Sequence, residues 1–279
     1  MQPGSASLPL RHAVALGLAQ GPTELLPVSS SAHTALIPLL LGWPYSELDG
    51  ELRKSFEVAL HAGAGAALAI DMRGELVEAA RKLDRRRLTT IALSLAPAAI
   101  AGLALGPSIE RRLGGPRSIA AGLAGGGVAM AIADARPAAK GDRRHDDAGP
   151  ADGLALGLAQ AVALVPGISR YGATLTAARA RGFSRADARS LSWHAALPVM
   201  LGASALKGAI LTRRPAPAGS AAPLAAGAAG AFVSTLLSAR VLRAGAGAAR
   251  SLLPCSIYRC LLAALVVVRL RSPGALRAQ

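Results

Sequence analysis

Apolar stretches long enough to cross a lipid bilayer recur along the whole chain, and short loops rich in Arg, Gly and Pro separate them. A transmembrane helix needs roughly 17–25 predominantly apolar residues. With 279 residues, 52% hydrophobic side chains and a mean hydropathy of +0.40, the chain has the composition of a polytopic helical membrane protein rather than of a soluble enzyme. We expect a single integral membrane domain over residues 1–279.

The basic side chains lie mainly in the loops between the apolar stretches. A formal charge of +15 suggests nucleic acid, but the arginines do not follow one helix face with interleaved aromatic residues, so contact with anionic membrane lipids is the better interpretation. Six basic residues cluster between 73 and 87. By the positive-inside rule this loop is cytoplasmic, and both termini and the 43–54 loop then lie outside.

An internal repeat divides the chain. Residues 155–160, ALGLAQ, are identical to residues 15–20. After each copy comes a proline and, three residues beyond that proline, a serine; the pairs are Pro27 with Ser30 and Pro166 with Ser169. The sequence therefore predicts two related halves, at 8–135 and 151–270, joined by a polar linker at 136–150.

Each half contains two short apolar windows followed by three longer ones. The short windows, at about 8–26 and 30–42 and again at about 151–165 and 170–181, are too short for an easy crossing and predict re-entrant helix hairpins. Three crossings per half is an odd number, so the second half enters the membrane from the opposite side. The predicted fold is all-α, with two inverted-topology repeats, about ten helical segments and six full spans. The predicted spans are 54–72, 88–105, 118–135, 187–208, 222–242 and 251–268.

The first hairpin carries polar groups that an apolar helix normally excludes. Gln20 and Glu24 share a helix face at spacing i, i+4 just before the break at Pro27. Ser30 and His33 lie on the first turn of the next helix, where the serine run supplies candidate N-caps, and each break leaves backbone N–H groups without helix partners. The serine run is Ser29, Ser30 and Ser31.

The second hairpin adds a cation. Gly167 and Ser169 lie in its break, and Arg170 opens the following helix. Two helix N-termini, a guanidinium and several hydroxyls are the groups that bind an anionic phosphate. Ser30 is then a candidate nucleophile, with Glu24 and His33 as base and acid. Alternatively, Glu24 holds a divalent cation, Mg²⁺ or Ca²⁺, that neutralises a diphosphate.

These motifs resemble the undecaprenyl-diphosphatase family, also called the bacitracin resistance proteins. The family pattern of Glu or Gln, three residues and Glu is similar to Gln20 and Glu24, and its Leu-Pro-x-Ser-Ser-x-x-His continuation matches 26–33. Its second pattern, Pro-Gly-x-Ser-Arg-Ser-x-x-Thr, matches 166–174 except at one position. The similarity extends to Phe-Glu-Val at 56–58 and Ala-Leu-Pro at 196–198, and so spans most of the chain.

The resemblance implies a cell-membrane hydrolase that removes the terminal phosphate of undecaprenyl diphosphate. Such an enzyme regenerates the lipid carrier for cell-wall polymers and confers bacitracin resistance, with its site on the extracytoplasmic side. Carried over by position, the central residues are Glu24, Ser30, His33 and Arg170. The residues expected to support substrate binding are Gln20, Ser29, Ser31, Gly167, Ser169, Tyr171 and Thr174.

Three positions depart from the family pattern. Tyr171 stands where the family usually has serine, Ala32 where it usually has glycine, and His61 where glutamine is common. These departures bear on substrate preference more than on the class of reaction. The rival interpretation is an inverted-repeat transporter or flippase for a lipid phosphate or another anion, because broken helices in inverted repeats are also transporter architecture.

Overall fold

Helices account for nearly all the regular structure of the chain. The computed structural model describes residues 7–136, 143–211, 219–244 and 251–271, and within those ranges it contains eleven α-helices, a short 3₁₀-helix at His145–Asp147 and no strand. In chain order the helices are α1 (Leu10–Leu25), α2 (Ser30–Leu41), α3 (Gly50–Asp71), α4 (Arg73–Arg81), α5 (Arg85–Leu113), α6 (Pro116–Ala135), α7 (Pro150–Val162), α8 (Arg170–Ala180), α9 (Arg185–Leu211), α10 (Ala221–Ala244) and α11 (Leu253–Arg271).

Four of the helices are both long and apolar enough to cross a membrane: α5, α6, α10 and α11. They correspond to four of the six predicted spans. The other two predicted spans fall on α3 and α9, which have 22 and 27 residues but are not among the four. The basic segment 73–87, predicted as a loop, contains the short helix α4.

The two copies of the repeated sequence pack in the same way against different helices. α1 packs on α10, and α7 packs on α5. Gly17 of the first copy lies so close to α10 that a Cβ there would collide with the Gly227 carbonyl. Gly157, the matching residue of the second copy, is pressed in the same manner against the Leu93 carbonyl of α5. Small residues at these positions let the helix backbones approach closely.

Polar contacts involving the two ends of α5 occur at opposite ends of the bundle. At one end, Lys54 near the start of α3 lies 3.5 Å from Glu110 near the end of α5. At the other end, Arg87 contacts Asp146 at 2.9 Å, and Arg86 donates a hydrogen bond to the Asp147 carbonyl. Residues 146 and 147 of the linker therefore lie beside the basic 73–87 segment.

Two buried carboxylates connect the ends of different helices. Asp152, in the first turn of α7, binds Arg143 and Arg181, each at 2.8 Å. Burial by itself would raise the pKa of Asp152, but the hydrogen bonds from Arg143, the Gly149 N–H and Arg181 outweigh it and lower the pKa to about 2. The second carboxylate is Asp134, at the end of α6. It accepts a hydrogen bond from Arg185 Nε of α9 at 2.7 Å and another from the Leu252 N–H, just before α11, at 2.8 Å.

Candidate active site

The first helix break has an unusual backbone. It separates α1 from α2, and Ser29 at its end has a φ of +75°, the sole positive value at a non-glycine residue in the described ranges. Such a conformation is strained for an L-residue that carries a side chain. Ser29 occupies the N-cap position of α2, but its side chain makes no capping hydrogen bond. The expectation that the serine run caps this helix is therefore wrong, and the hydroxyls of Ser29 and Ser31 instead lie 3.3 Å apart.

The second break places its glycine against α6. Gly167 has a φ of +93°, and a Cβ there would collide with the Ile119 carbonyl, so both the conformation and the space require glycine. Ser169 then caps α8, because its Oγ accepts a hydrogen bond from the Gly172 N–H at 3.0 Å. Arg170, the first residue of α8, is partly exposed, and within the described ranges its guanidinium makes no hydrogen bond.

The two breaks meet at one buried arginine. Arg259 of α11 donates from Nη1 to the Pro27 carbonyl and from Nη2 to the Gly167 carbonyl, both at 3.3 Å. A Cβ on Gly172, in the first turn of α8, would lie 3.4 Å from the same Pro27 carbonyl. The first turn of α8 therefore lies against the first break, and Pro27 in that break is three residues before Ser30.

The carboxylate of the first hairpin lies in a small polar group. Gln20 Nε2 donates to Glu24 Oε2 at 2.9 Å, and His61 Nε2 of α3 is 3.9 Å from that oxygen. His61 Nδ1 lies 2.8 Å from the Glu57 carbonyl, which can only accept, so Nδ1 carries a proton and Nε2 faces Glu24. The other amide atom of Gln20, Oε1, is buried without a hydrogen-bond partner in the described ranges.

The imidazole of His33 is held at both ring nitrogens. Nδ1 lies 2.7 Å from the Ser29 carbonyl and must be the donor there, because a carbonyl only accepts. Nε2 lies 2.7 Å from the Tyr258 hydroxyl of α11. A neutral His33 is therefore the Nδ1–H tautomer, with the Nε2 lone pair accepting from Tyr258. No direct hydrogen bond joins His33 to the Ser30 hydroxyl in the described ranges.

Two of the predicted substrate-binding residues, Thr174 and Tyr171, make their contacts within the protein. The Thr174 hydroxyl donates to the carbonyls of Arg170 and Tyr171 in its own helix. Tyr171 is buried in an apolar cluster, and its ring centroid lies 4.5 Å from that of Trp193. Their roles in substrate binding stay predictions.

The groups near Glu24 include oxygen donors of the kind that bind a cation. No group of three or more His, Cys, Asp or Glu side chains able to hold a metal ion occurs in the described ranges. Mg²⁺, however, commonly takes one or two carboxylates and completes its shell with water and substrate phosphates. The Glu24 carboxylate and the orphaned Gln20 Oε1 are oxygen donors of the kind that such a hard cation prefers.

A family model described as bacitracin resistance protein BacA matches residues 13–265. The chain belongs to this family. Its similar proteins include the undecaprenyl-diphosphatase of Geobacter metallireducens, 41% identical over 228 residues, which are 77% of this chain and 82% of that protein. That of Geobacter sulfurreducens is 39% identical over 84% of this chain and 88% of its own length. That of Campylobacter curvus is 36% identical over 72% and 77%.

Within this BacA family chain, sequence reasoning missed two residues of the site, Tyr258 and Arg259. Both lie in an apolar window and match no motif. Each makes a hydrogen bond with a residue more than 90 positions away in the chain. The signal that could have found Arg259 is its residue type. An arginine inside an apolar transmembrane window is costly and points to a functional or structural contact.

Proposed function

We propose that this chain is an integral membrane phosphatase whose active site lies where the two helix breaks meet. It hydrolyses undecaprenyl diphosphate to undecaprenyl phosphate and inorganic phosphate, and so recycles the lipid carrier for cell-wall synthesis and confers bacitracin resistance. The observation that carries the proposal is the joining of the Pro27 and Gly167 carbonyls by Arg259, which connects the two breaks that precede α2 and α8. Their N–H groups and Arg170 supply a binding site for an anionic phosphate.

In the proposed reaction, Arg170 and the two helix N-termini hold the diphosphate oxygens. Ser30 Oγ forms a bond to the terminal phosphorus, the bond from that phosphorus to the bridging oxygen breaks, and undecaprenyl phosphate leaves with that oxygen. The Ser30 proton passes to His33 Nε2, which exchanges its Tyr258 partner for the serine, and water later releases inorganic phosphate from Ser30. In the alternative route a water molecule, activated by Glu24, attacks directly.

Glu24 and Gln20 are the residues that would hold a divalent cation, Mg²⁺ or Ca²⁺. Such a cation, when bound, supplies neutralisation of charge on the diphosphate. The carboxylate of Glu24 has a second possible use, as the general base, and His61 lies 3.9 Å from it.

We propose an inverted-repeat topology with six spans, formed by α3, α5, α6, α9, α10 and α11. The matching environments of Gly17 and Gly157 support the repeat. The contacts of Arg86 and Arg87 with 146–147 support a cytoplasmic position for the linker, because the 73–87 segment is the basic one. The first hairpin then enters from the extracytoplasmic side, which is the side proposed for substrate access.

The same architecture supports a second candidate function, a transporter or flippase for a lipid phosphate. The discriminating experiment measures phosphate release from undecaprenyl or farnesyl diphosphate by purified protein in detergent, where no transmembrane gradient exists. A phosphatase releases phosphate under these conditions. No phosphate release in detergent, together with lipid movement in reconstituted vesicles, would favour the transporter.

Glu24→Gln is expected to lower phosphate release by roughly 10²-fold, because the amide can neither accept a proton nor neutralise a cation. If Glu24 holds a metal, EDTA-treated wild type regains activity with Mg²⁺ or Ca²⁺, whereas the variant does not respond. Glu47→Gln, at an exposed loop position, is the matched control and should behave as wild type. Full activity of wild type in EDTA would assign Glu24 to the base role instead.

Tyr258→Phe is expected to lower kcat about tenfold with little change in KM, because the His33 ring loses the hydroxyl that orients it. Steady-state phosphate release in detergent measures both constants. Tyr45→Phe removes a buried hydroxyl from a cluster outside the site and should leave both unchanged. An unaltered kcat in Tyr258→Phe would show that this contact does not serve the reaction.

A further inference from the structure

Arg259 is a buried cation without a matching anion. Its side chain is 0% exposed although it lies within the apolar helix α11. The guanidinium donates to the carbonyls of Pro27, Gly122 and Gly167, all at 3.3 Å, and its Nε has no hydrogen-bond partner among the described residues. No carboxylate in the described ranges pairs with it. A buried charge of this kind is expensive, and neutral carbonyls offset only part of the cost.

The surroundings of Arg259 are built to admit the guanidinium. A Cβ on Gly126 of α6 would overlap Nη2, and a Cβ on Gly172 of α8 would lie 2.8 Å from Nη1. Gly125, the neighbour of Gly126 on the same helix, has open space where a Cβ would be. The absence of a side chain at Gly126 and Gly172 therefore makes room for the Arg259 guanidinium, whereas a side chain at Gly125 would not contact it.

The three carbonyls belong to separate elements. Pro27 lies in the first break, Gly167 in the second, and Gly122 on α6, so one planar fork joins both hairpins to the helix behind them. Pro27 is three residues before Ser30, and Gly167 is three residues before Arg170. A shift of either carbonyl therefore moves the first turn of α2 or α8, and with it a group that handles the phosphate.

We propose that Arg259 is a positioning residue for the phosphatase reaction, one that fixes both helix breaks at the spacing the diphosphate requires and adds uncompensated positive charge beside the site. The inference rests on the proposed function, because it assumes that Ser30 and Arg170 act on one diphosphate. Being fully buried, Arg259 acts through the two turns and through its field, not by contact with substrate.

The test compares Arg259→Met and Arg259→Lys with Gly126→Ala and its control Gly125→Ala. Arg259→Met removes the charge and the donors, and is expected to lower kcat up to about 10²-fold and to raise KM. Arg259→Lys keeps the charge but cannot span three carbonyls, so its kcat falls while its KM stays near that of wild type. Gly126→Ala displaces the guanidinium and should reproduce the kcat loss, whereas Gly125→Ala behaves as wild type.

A double variant separates positioning from helix packing. If Gly126 matters only because it makes room for the guanidinium, then Gly126→Ala costs almost nothing further in the Arg259→Met background. Melting temperatures in detergent report folding for every variant; should Arg259→Met fail to fold, Arg259→Lys and Gly126→Ala carry the test alone. Wild-type kcat in folded Arg259→Lys and Gly126→Ala, or additive losses in the double variant, would overturn the proposal.

If the chain is not a phosphatase, the measurements differ from those expected if only the role of Arg259 is wrong. Farnesyl diphosphate should raise the melting temperature of wild type, because it binds the folded protein, and this rise should be reduced in Arg259→Met. Phosphate release that is absent in wild type, with this difference in melting shift preserved, would reject the phosphatase but keep the role of Arg259. Equal shifts in both proteins would reject that role whatever the activity.

Discussion

Ser30→Ala is expected to reduce phosphate release by roughly 10³-fold or more while the protein still folds. Loss of a nucleophile leaves only the rate enhancement from binding and electrostatics. The structure favours an accessible hydroxyl here, because Ser30 is the partly exposed first residue of α2 and follows the strained Ser29. Phosphate release by purified protein in detergent measures the effect, and the melting temperature reports folding.

Ser55→Ala is the matched control for that variant. It removes a hydroxyl that donates only to the Glu51 carbonyl within α3, so its activity should equal that of wild type. If a water molecule is the nucleophile, Ser30→Ala loses about tenfold or less, because only one hydrogen bond to the phosphate is removed. Near-normal rates in both Ser30→Ala and Arg170→Ala would reject the site assignment.

Arg170→Ala is expected to lower kcat/KM on the order of 10³-fold, the loss seen when a guanidinium that stabilises phosphoryl transfer is removed. Its guanidinium makes no hydrogen bond within the described ranges, so it is available for the substrate. Arg170→Lys should recover only part of the loss, because a point charge cannot bind two phosphate oxygens in a planar fork.

Arg240→Ala controls for the loss of one positive charge, since Arg240 is an exposed residue of α10 outside the site. It should retain wild-type kcat/KM at moderate ionic strength, where exposed charges are screened. Equal losses in Arg170→Ala and Arg240→Ala would mean that the membrane-surface charge, rather than a specific phosphate contact, attracts the substrate.

Local patterns predicted the helical elements of the site well. The breaks after α1 and α7 lie just before Pro27 and Pro166, as predicted. Proline disfavours helical backbone at the residue before it, but it does not end every helix, because Pro22 and Pro38 lie inside α1 and α2. The i, i+4 spacing of Gln20 and Glu24 correctly implied that the two side chains meet, and they do so at 2.9 Å. Periodicity and spacing carry this information because the partners are within one helical turn.

Partners that come from distant segments were not predictable in the same way. The serine run suggested a cap, but Ser29 has a positive φ and its side chain bonds elsewhere, because tertiary contacts at the break override the local preference. Hydropathy identified α11 as a span but gave no indication of which of its faces is buried. Tyr258 and Arg259 meet the site only through packing, and a single sequence holds no record of that packing.

Because the guanidinium that joins the two breaks belongs to α11, the last described helix is required to complete a site whose other parts are made much earlier. During synthesis the ribosome produces α1, α2, α7 and α8 well before residue 259, so a nascent chain inserted up to α10 contains Ser30 and Arg170 but not the group that holds their turns together. Hydrolytic competence should therefore appear late in biogenesis, after insertion of α11, and truncation before this helix should yield inactive membrane protein.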